Sequence, residues 1–431
     1  MEHDSSRVTT PNRRTVLQTI GAGGLALGGI AGTSGSAAAG SDENWTELSV
    51  GDHDQRYNVG YKNGDGAKTA KDVATTVYYD IDPLDALTIE SDLDGLQTLE
   101  ENDDIEYVEV DRQLEVELPP QEVEVQQETN GQTVPWGIER IGARDVHEMG
   151  ITGDDVDVCV LDTGIDPSHE DLAANLGDGA AYTECQGDLV PWECEEPWSD
   201  DRESGHGTHV AGTVGALDND LGVVGVGPDV TLHAVKVLDQ NGVGFHSDIA
   251  NGLAFAGFFE FDVANMSLGG VDTELKRAGV EYAHEQGVLL VASAQNEGAP
   301  VLYPAAYDEV IAVSATTPDD TLAWFSNRGP EVELAAPGVD VLSTVPQDGY
   351  AAYEGTSMAA PHVAGAGAII MSLGYSASET REILNATAED ISLPSEHQGS
   401  GLVDVATAVE LALEEQREKE EKKREKKGAA Q

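Results

Sequence analysis

Gly355-Thr-Ser-Met-Ala-Ala-Pro-His362 is the stretch that decides how the rest of this chain reads. It sets Ser357 just ahead of small and apolar residues, 359–360 and 363–370, with the composition of a buried helix. The first N–H groups of a helix have no partner within it, and the helix dipole there favours negative charge. A serine in that position has the field a nucleophile needs, beside donors for a developing oxyanion. Taken alone, the octapeptide also fits an ordinary helix start, because Ser and Thr are preferred N-caps. Two stretches upstream favour the chemical reading: Val158-Cys-Val-Leu-Asp-Thr-Gly164 and Gly205-His-Gly-Thr-His-Val-Ala-Gly212. They place Asp162, His206 and Ser357 in that order along the chain.

These three blocks, in this order, resemble those of the subtilisin-like serine proteases, the subtilases. The resemblance runs from Val134-Pro-Trp-Gly137 to Gly401-Leu-Val-Asp404. It implies a serine endopeptidase that cleaves extended protein or peptide substrates through an acyl-enzyme. In that reading Ser357 is the nucleophile, His206 shuttles its proton, and Asp162 fixes the imidazole. Asn296, in Val291-Ala-Ser-Ala-Gln-Asn-Glu-Gly298, matches the family's oxyanion asparagine. Gln295 stands where the family usually has glycine, which leaves the substrate preference open. Ser267, Leu268 and Gly269 on one side, and Gly242, Val243 and Gly244 on the other, correspond to rails that bind a peptide by strand addition. The resemblance also implies a structural calcium ion. Gln132, Asp171 and Asn219 would offer side chains, and Leu217, Leu221 and Val223 carbonyls, a set of hard oxygen donors suited to Ca²⁺. His209 and His362 read as packing or hydrogen-bonding residues. His206 and His209 have metal-pair spacing but no helical glutamate base beside them. Two alternatives come from other classes. A catalytically silent binding module would lack a triad member, and a serine esterase would carry a Gly-x-Ser-x-Gly elbow; neither condition is met.

Short apolar runs at 156–161, 231–237, 263–267, 289–294 and 310–314 predict fully buried parallel strands. Helical patterns intervene at 206–216, 247–258, 275–286 and 356–372. The alternation predicts an α/β fold, a doubly wound, mostly parallel sheet flanked by helices, as in subtilisin. Sites in such folds lie at the carboxyl ends of strands. Before this domain, strands are predicted at 56–61, 77–81, 86–89 and 105–110, with helices at 68–75 and 93–101. Leu93, Leu96 and Leu99, three apart, mark the second helix. This βαββαβ order is that of a small ferredoxin-like α+β unit, and its position resembles the subtilase propeptide, a folding chaperone and intramolecular inhibitor.

Asn12-Arg-Arg-Thr-Val-Leu-Gln18, a Gly/Ala/Leu-rich run and Ala37-Ala-Ala39 form a twin-arginine export pattern with a cleavage site. The expected division is therefore a signal at 1–39, a propeptide at 40–130, the catalytic domain at 131–413 and a charged tail at 414–431. Residues 118–130, rich in Pro, Glu and Gln, read as the cleavable linker. The expected destination is extracellular, through the twin-arginine machinery, and a monomer is expected. The tail reads as a solvated helix extension or as disorder.

The chain carries 80 Asp and Glu against 23 Lys and Arg, a net charge of −57. Such a surface repels nucleic acid and anionic membranes. In dilute buffer it repels itself. At 1 M salt the Debye length falls to roughly 3 Å and that repulsion is screened, so a halophilic protein is expected. The acidic pairs Asp200-Asp201 and Asp319-Asp320 read as part of this surface. Cys159 reads as a core residue. Cys185 and Cys194 flank an acidic loop; in an exported chain they pair, or they stay as thiols or join a metal site.

Overall fold

A computed structural model describes residues 55–116, 131–183, 197–200 and 205–428. The expected signal at 1–39, the expected linker 118–130, Asp201 and the pair Cys185 and Cys194 lie outside these residues. The chain divides into two compact units, residues 1–111 and 112–431.

The first unit contains β1 (Arg56–Tyr61), α1 (Gly64–Val73), β2 (Ala74–Ile81), β3 (Ala86–Ser91), α2 (Leu93–Glu100) and β4 (Ile105–Val110). Its antiparallel sheet has the order β2-β3-β1-β4, the ferredoxin-like arrangement. Helix α1 begins four residues before its predicted start because Asn63 caps it, accepting from the N–H groups of Asp65 and Gly66. In α2, Leu96 and Leu99 enter the core with Val59, Leu87 and Ile89. Leu93 does not. It is the first helical residue, after the Asp92 cap, and is 53% exposed.

In the second unit a short strand, β5 (Gln113–Glu115), precedes the large sheet. That sheet comprises β6 (Asp157–Asp162), β7 (Ala180–Ala181), β8 (Thr231–Lys236), β10 (Val263–Met266), β11 (Leu289–Ser293), β12 (Val310–Thr316) and β13 (Val332–Pro337). All its pairings are parallel, in the order β7-β8-β6-β10-β11-β12-β13. Strand β9 (Val243–Phe245) pairs with β5, and β14 (Val341–Val345) with β15 (Gly349–Tyr353), both antiparallel. Alternate residues of β6 face opposite layers. Val158 and Val160 pack with α3 (His206–Gly215) and α6 (Thr356–Ser372), while Cys159 and Leu161 pack with α4 (His246–Phe258) and α5 (Glu274–Glu285). Burial on both faces explains the unbroken apolar runs. Burial also pushes the Cys159 thiol pKa up, so it remains an inert core group.

Strand β13 escapes a reading by apolar runs because Glu333 interrupts it. That carboxylate is taken by Arg381 at 2.8 Å, on the last strand of the sheet. The second unit ends in a long helix, α7 (Val405–Gly428). The charged tail continues it with i,i+4 pairs Glu415–Lys419, Glu418–Lys422 and Glu420–Arg424.

Candidate active site

The strand order reverses at β6, which has β8 on one side and β10 on the other. Sites in doubly wound sheets form at the carboxyl ends beside such a switch point, and here Asp162 ends β6 and Ser267 follows β10. Ser357 is the second residue of α6, where the backbone donors are free of helical partners. Pro361 lies inside this helix. Having no N–H, it leaves the Ser357 carbonyl without its helical donor. The Ser267 hydroxyl fills that place, donating to Ser357 O at 2.8 Å. In return the Ser357 hydroxyl donates to Ser267 O at 3.3 Å, rather than to His206. The helix bearing Ser357 is thus tied to the loop after β10 by both partners.

His206 opens α3 and is fully enclosed, as is Asp162. Its Nδ1 bonds Asp162 Oδ1 at 2.7 Å, and the same oxygen accepts from Thr163 N at 2.8 Å. Burial alone would lower the His206 pKa; the Asp162 carboxylate outweighs it, with help from Asp200, and the pKa is raised. Gly207 is required by space, since a Cβ there would overlap Gly164 O.

Asp200 corrects the reading of the Asp200-Asp201 pair as salt-adapted surface: it is 4% exposed. Its Oδ1 accepts from Thr163 Oγ1 at 2.8 Å, and its Oδ2 from Thr208 N at 3.0 Å and Thr208 Oγ1 at 2.6 Å. Thr163 Oγ1 accepts in turn from Gly207 N at 2.9 Å, and its carbonyl from the buried Lys236 ammonium. This layer clamps the Asp162 and His206 segments together. Lys236 was its legible signal, a lysine that ends β8 and is followed directly by Val237 and Leu238. Asp320 stays partly exposed, holding Arg140 through two bonds of 2.9 Å.

His209 and His362 are packing residues. Burial lowers their pKa to about 3 and about 4, respectively, so both are neutral. His209 donates to Val341 O at 2.9 Å, and His362 to Met358 O at 2.8 Å.

The Asn296 amide is fixed by Thr356, whose N–H and hydroxyl donate to Oδ1 at 2.8 and 2.9 Å. A backbone N–H only donates, so the oxygen must face it and the NH₂ is directed elsewhere, available to an oxyanion. The following loop is stapled by Asn327, which accepts from Glu297 N and Ala299 N at 2.9 and 2.8 Å and donates to Pro300 O at 2.9 Å. Neither Thr356 nor Asn327 stands out in the sequence.

The expected rail Gly242, Val243 and Gly244 carries a strand in this structure, and that strand is the chain's own β5. Gln113 opposes Phe245, Leu114 opposes Gly244 and Glu115 opposes Val243. Val116 N donates to Gly242 O at 2.9 Å, and His246 N to Arg112 O at 3.0 Å. On the other rail, Ser267 and Leu268 are fully buried, and Gly269 lies against the Gln295 side chain.

Gln132, Asp171 and the loop 217–223 also converge. The Gln132 amide donates to Leu217 O at 2.7 Å and Val223 O at 3.2 Å. Asp171 accepts from Asn219 Nδ2 and Val223 N, each at 3.0 Å, and from Tyr350 OH at 2.9 Å. Gly222 passes so close that a Cβ would overlap both Asp171 Oδ2 and Tyr350 OH. Leu221 is the exposed tip, its N–H held by Asn219 Oδ1 at 2.9 Å. Among the described residues no three His, Cys, Asp or Glu side chains cluster as a metal site. A site here rests on one carboxylate with amide and carbonyl oxygens, the donor chemistry of calcium.

Residues 153–402 match the model of the subtilase family. Over 288 residues the chain is 44% identical to subtilisin E of Bacillus subtilis, covering 65% of this chain and 72% of that protein. The same identity and length hold for the subtilisin of Bacillus pumilus, covering 65% of this chain and all of that one. An alkaline protease of Shouchella clausii is 40% identical over 343 residues, 78% of this chain and 83% of the relative. With the parallel sheet, the Asp162–His206 hydrogen bond and Ser357 at a helix start, these likenesses lead to one conclusion: the chain belongs to the subtilase family and is a subtilisin-like serine endopeptidase.

Proposed function

We propose that this protease is made as an exported zymogen, that Asp162, His206 and Ser357 are its triad, and that its own N-terminal region inhibits it until cleavage. The observation that carries the zymogen reading is β5 on β9: a segment of the chain lies in antiparallel register on the rail expected to take substrate. A peptide would add to the same edge through main-chain bonds, with its scissile carbonyl over Ser357. Ser357 Oγ attacks the carbonyl carbon and passes its proton to His206 Nε2. The oxyanion is met by Asn296 Nδ2 and Ser357 N–H. His206 then gives its proton to the leaving amine, and water repeats the sequence on the acyl-enzyme. Asp162 holds the imidazole with Nδ1 protonated throughout. Phenylmethylsulfonyl fluoride is expected to abolish casein hydrolysis in proportion to labelling of Ser357, read by peptide mapping. Hydrolysis that persists in fully labelled protein overturns the assignment.

The twin-arginine pattern supports an extracellular destination reached in the folded state. The charge of −57 supports a halophilic setting, and the protein is proposed to act as a monomer. Gln132, Asp171, Asn219 and the carbonyls of Leu217, Leu221 and Val223 would hold calcium, which when bound supplies a charge linking three distant segments. A cation held only by the folded state stabilises it by mass action, whereas salt acts through screening, so the two separate experimentally. Thermal inactivation is expected to slow greatly from 0.1 M to multimolar NaCl, and a chelator is expected to hasten it at constant high salt. Asp171→Asn should lose the chelator response and keep the salt response. Indifference to salt overturns the halophile reading, and indifference to chelator overturns the calcium site.

A further inference from the structure

The loops leaving β10 and β11 lie side by side around Ser357. Ser267 receives the Ser357 hydroxyl, and Asn296 is anchored on Thr356. On the protease reading, a peptide running along Ser267–Gly269 with its scissile carbonyl at Ser357 would turn the side chain preceding that bond towards these two loops. Between them, against Gly269, stands the side chain of Gln295. It is 7% exposed, and its Nε2 donates to Ser293 Oγ at 2.6 Å and Ser293 O at 3.3 Å. A Cβ on Gly269 would stand 2.6 Å from both its Cγ and its Cδ. The two loops are therefore in contact through this side chain.

Gln295 also has φ +83°, a backbone region that suits glycine and strains an L residue. A strained conformation that the surroundings hold in place is a mark of a functional position. Here Thr356 Oγ1 accepts from Gln295 N at 3.0 Å, and Gln295 O accepts from Asn327 N at 2.8 Å. The backbone is fixed on both sides, and the side chain is held by its own bonds to Ser293.

We infer that Gln295 sets the depth of the primary side-chain pocket, so that the enzyme cleaves after small residues such as alanine and rejects aromatic ones. The inference rests on the protease reading above and adds the substrate class. A bulky side chain would have to displace the carboxamide from Ser293 and leave a buried polar group unpaired, a penalty an alanine substrate avoids. Discrimination by pocket size is modest per carbon, about 10–200-fold for one methylene, and several carbons separate alanine from phenylalanine.

The test uses the matured full chain and peptide p-nitroanilides that differ only in the residue before the scissile bond: alanine, leucine or phenylalanine. Active enzyme is counted by sulfonyl labelling of Ser357. Wild type is expected to favour alanine over phenylalanine at least about tenfold in kcat/KM. Gln295→Gly should raise the phenylalanine-to-alanine ratio at least about tenfold. Ser293→Ala frees the carboxamide without removing it and should move the ratio the same way by less. A wild type that cleaves after phenylalanine as readily as after alanine overturns the inference. So does a fully labelled Gln295→Gly with an unmoved ratio. If Gln295→Gly fails to fold, an unmoved ratio in Ser293→Ala is decisive. Failure to cleave any of the three peptides, with no labelling, would instead sink the protease reading.

Discussion

Replacing Ser357 with alanine should lower casein hydrolysis by about 10⁶, the scale on which loss of the nucleophile acts in an enzyme whose triad works as one unit. The fold should tolerate the change. Ser357 contributes one long side-chain hydrogen bond, 3.3 Å to Ser267 O. The bond that compensates for Pro361 uses the Ser357 carbonyl, which alanine keeps. Thermal unfolding of the variant should therefore stay close to that of the uncut wild-type chain. The same variant should accumulate as an uncut chain when expressed without other proteases, because the cleavage that matures it is expected to be its own. Intact caseinolysis would require a different nucleophile. A normally processed variant would assign maturation to another protease.

Asp162→Asn should cost about 10⁴ in kcat/KM, as loss of the orienting carboxylate does in other triads. The cause is legible in the geometry. Asp162 Oδ1 accepts from both His206 Nδ1 and Thr163 N. An amide in this place loses the charge that stabilises the imidazolium, and where its NH₂ turns towards the imidazole it also presents a donor to a donor. Nδ1 then becomes an acceptor, and the proton moves to Nε2, where Ser357 needs a base. The pH profile gives a second readout. In wild type the Asp162 carboxylate holds His206 above the ordinary value of about 6.5. Activity needs the neutral imidazole, so it should be lost as pH falls through that raised value. In the variant burial acts without the carboxylate and lowers the pKa, so the acid limb should move to lower pH. A limb that does not move would mean that Asp162 does not govern His206.

The sequence was most legible where one residue type carries one physical requirement. Buried strands with both faces covered left unbroken apolar runs, and α6 was bounded at its observed ends, 356 and 372. Asp162 and His206 stood out because each sits in a glycine-punctuated block. The sheet's last strand was less legible because Glu333 breaks its pattern, and only folding brings Arg381 to that carboxylate. Asp200 was misread for a related reason: among so many acids, one buried carboxylate looks like the rest until Thr163, Thr208 and Lys236 surround it. Thr356 and Asn327 act by aiming hydrogen bonds at neighbours far along the chain, and such aim has no local signature. Strand β5 is three residues long and has a pattern only in company with β9.

That strand has a consequence for how activity would be switched on. Because β5 and β9 belong to one chain, the occupant of the rail is present at an effective concentration set by the intervening chain. No dilution lowers it. Once the chain is cut between the two strands, the occupant becomes a separate molecule, and its hold falls with total protein. On the exported-zymogen reading proposed above, dilution into a large outside volume would then release the rail.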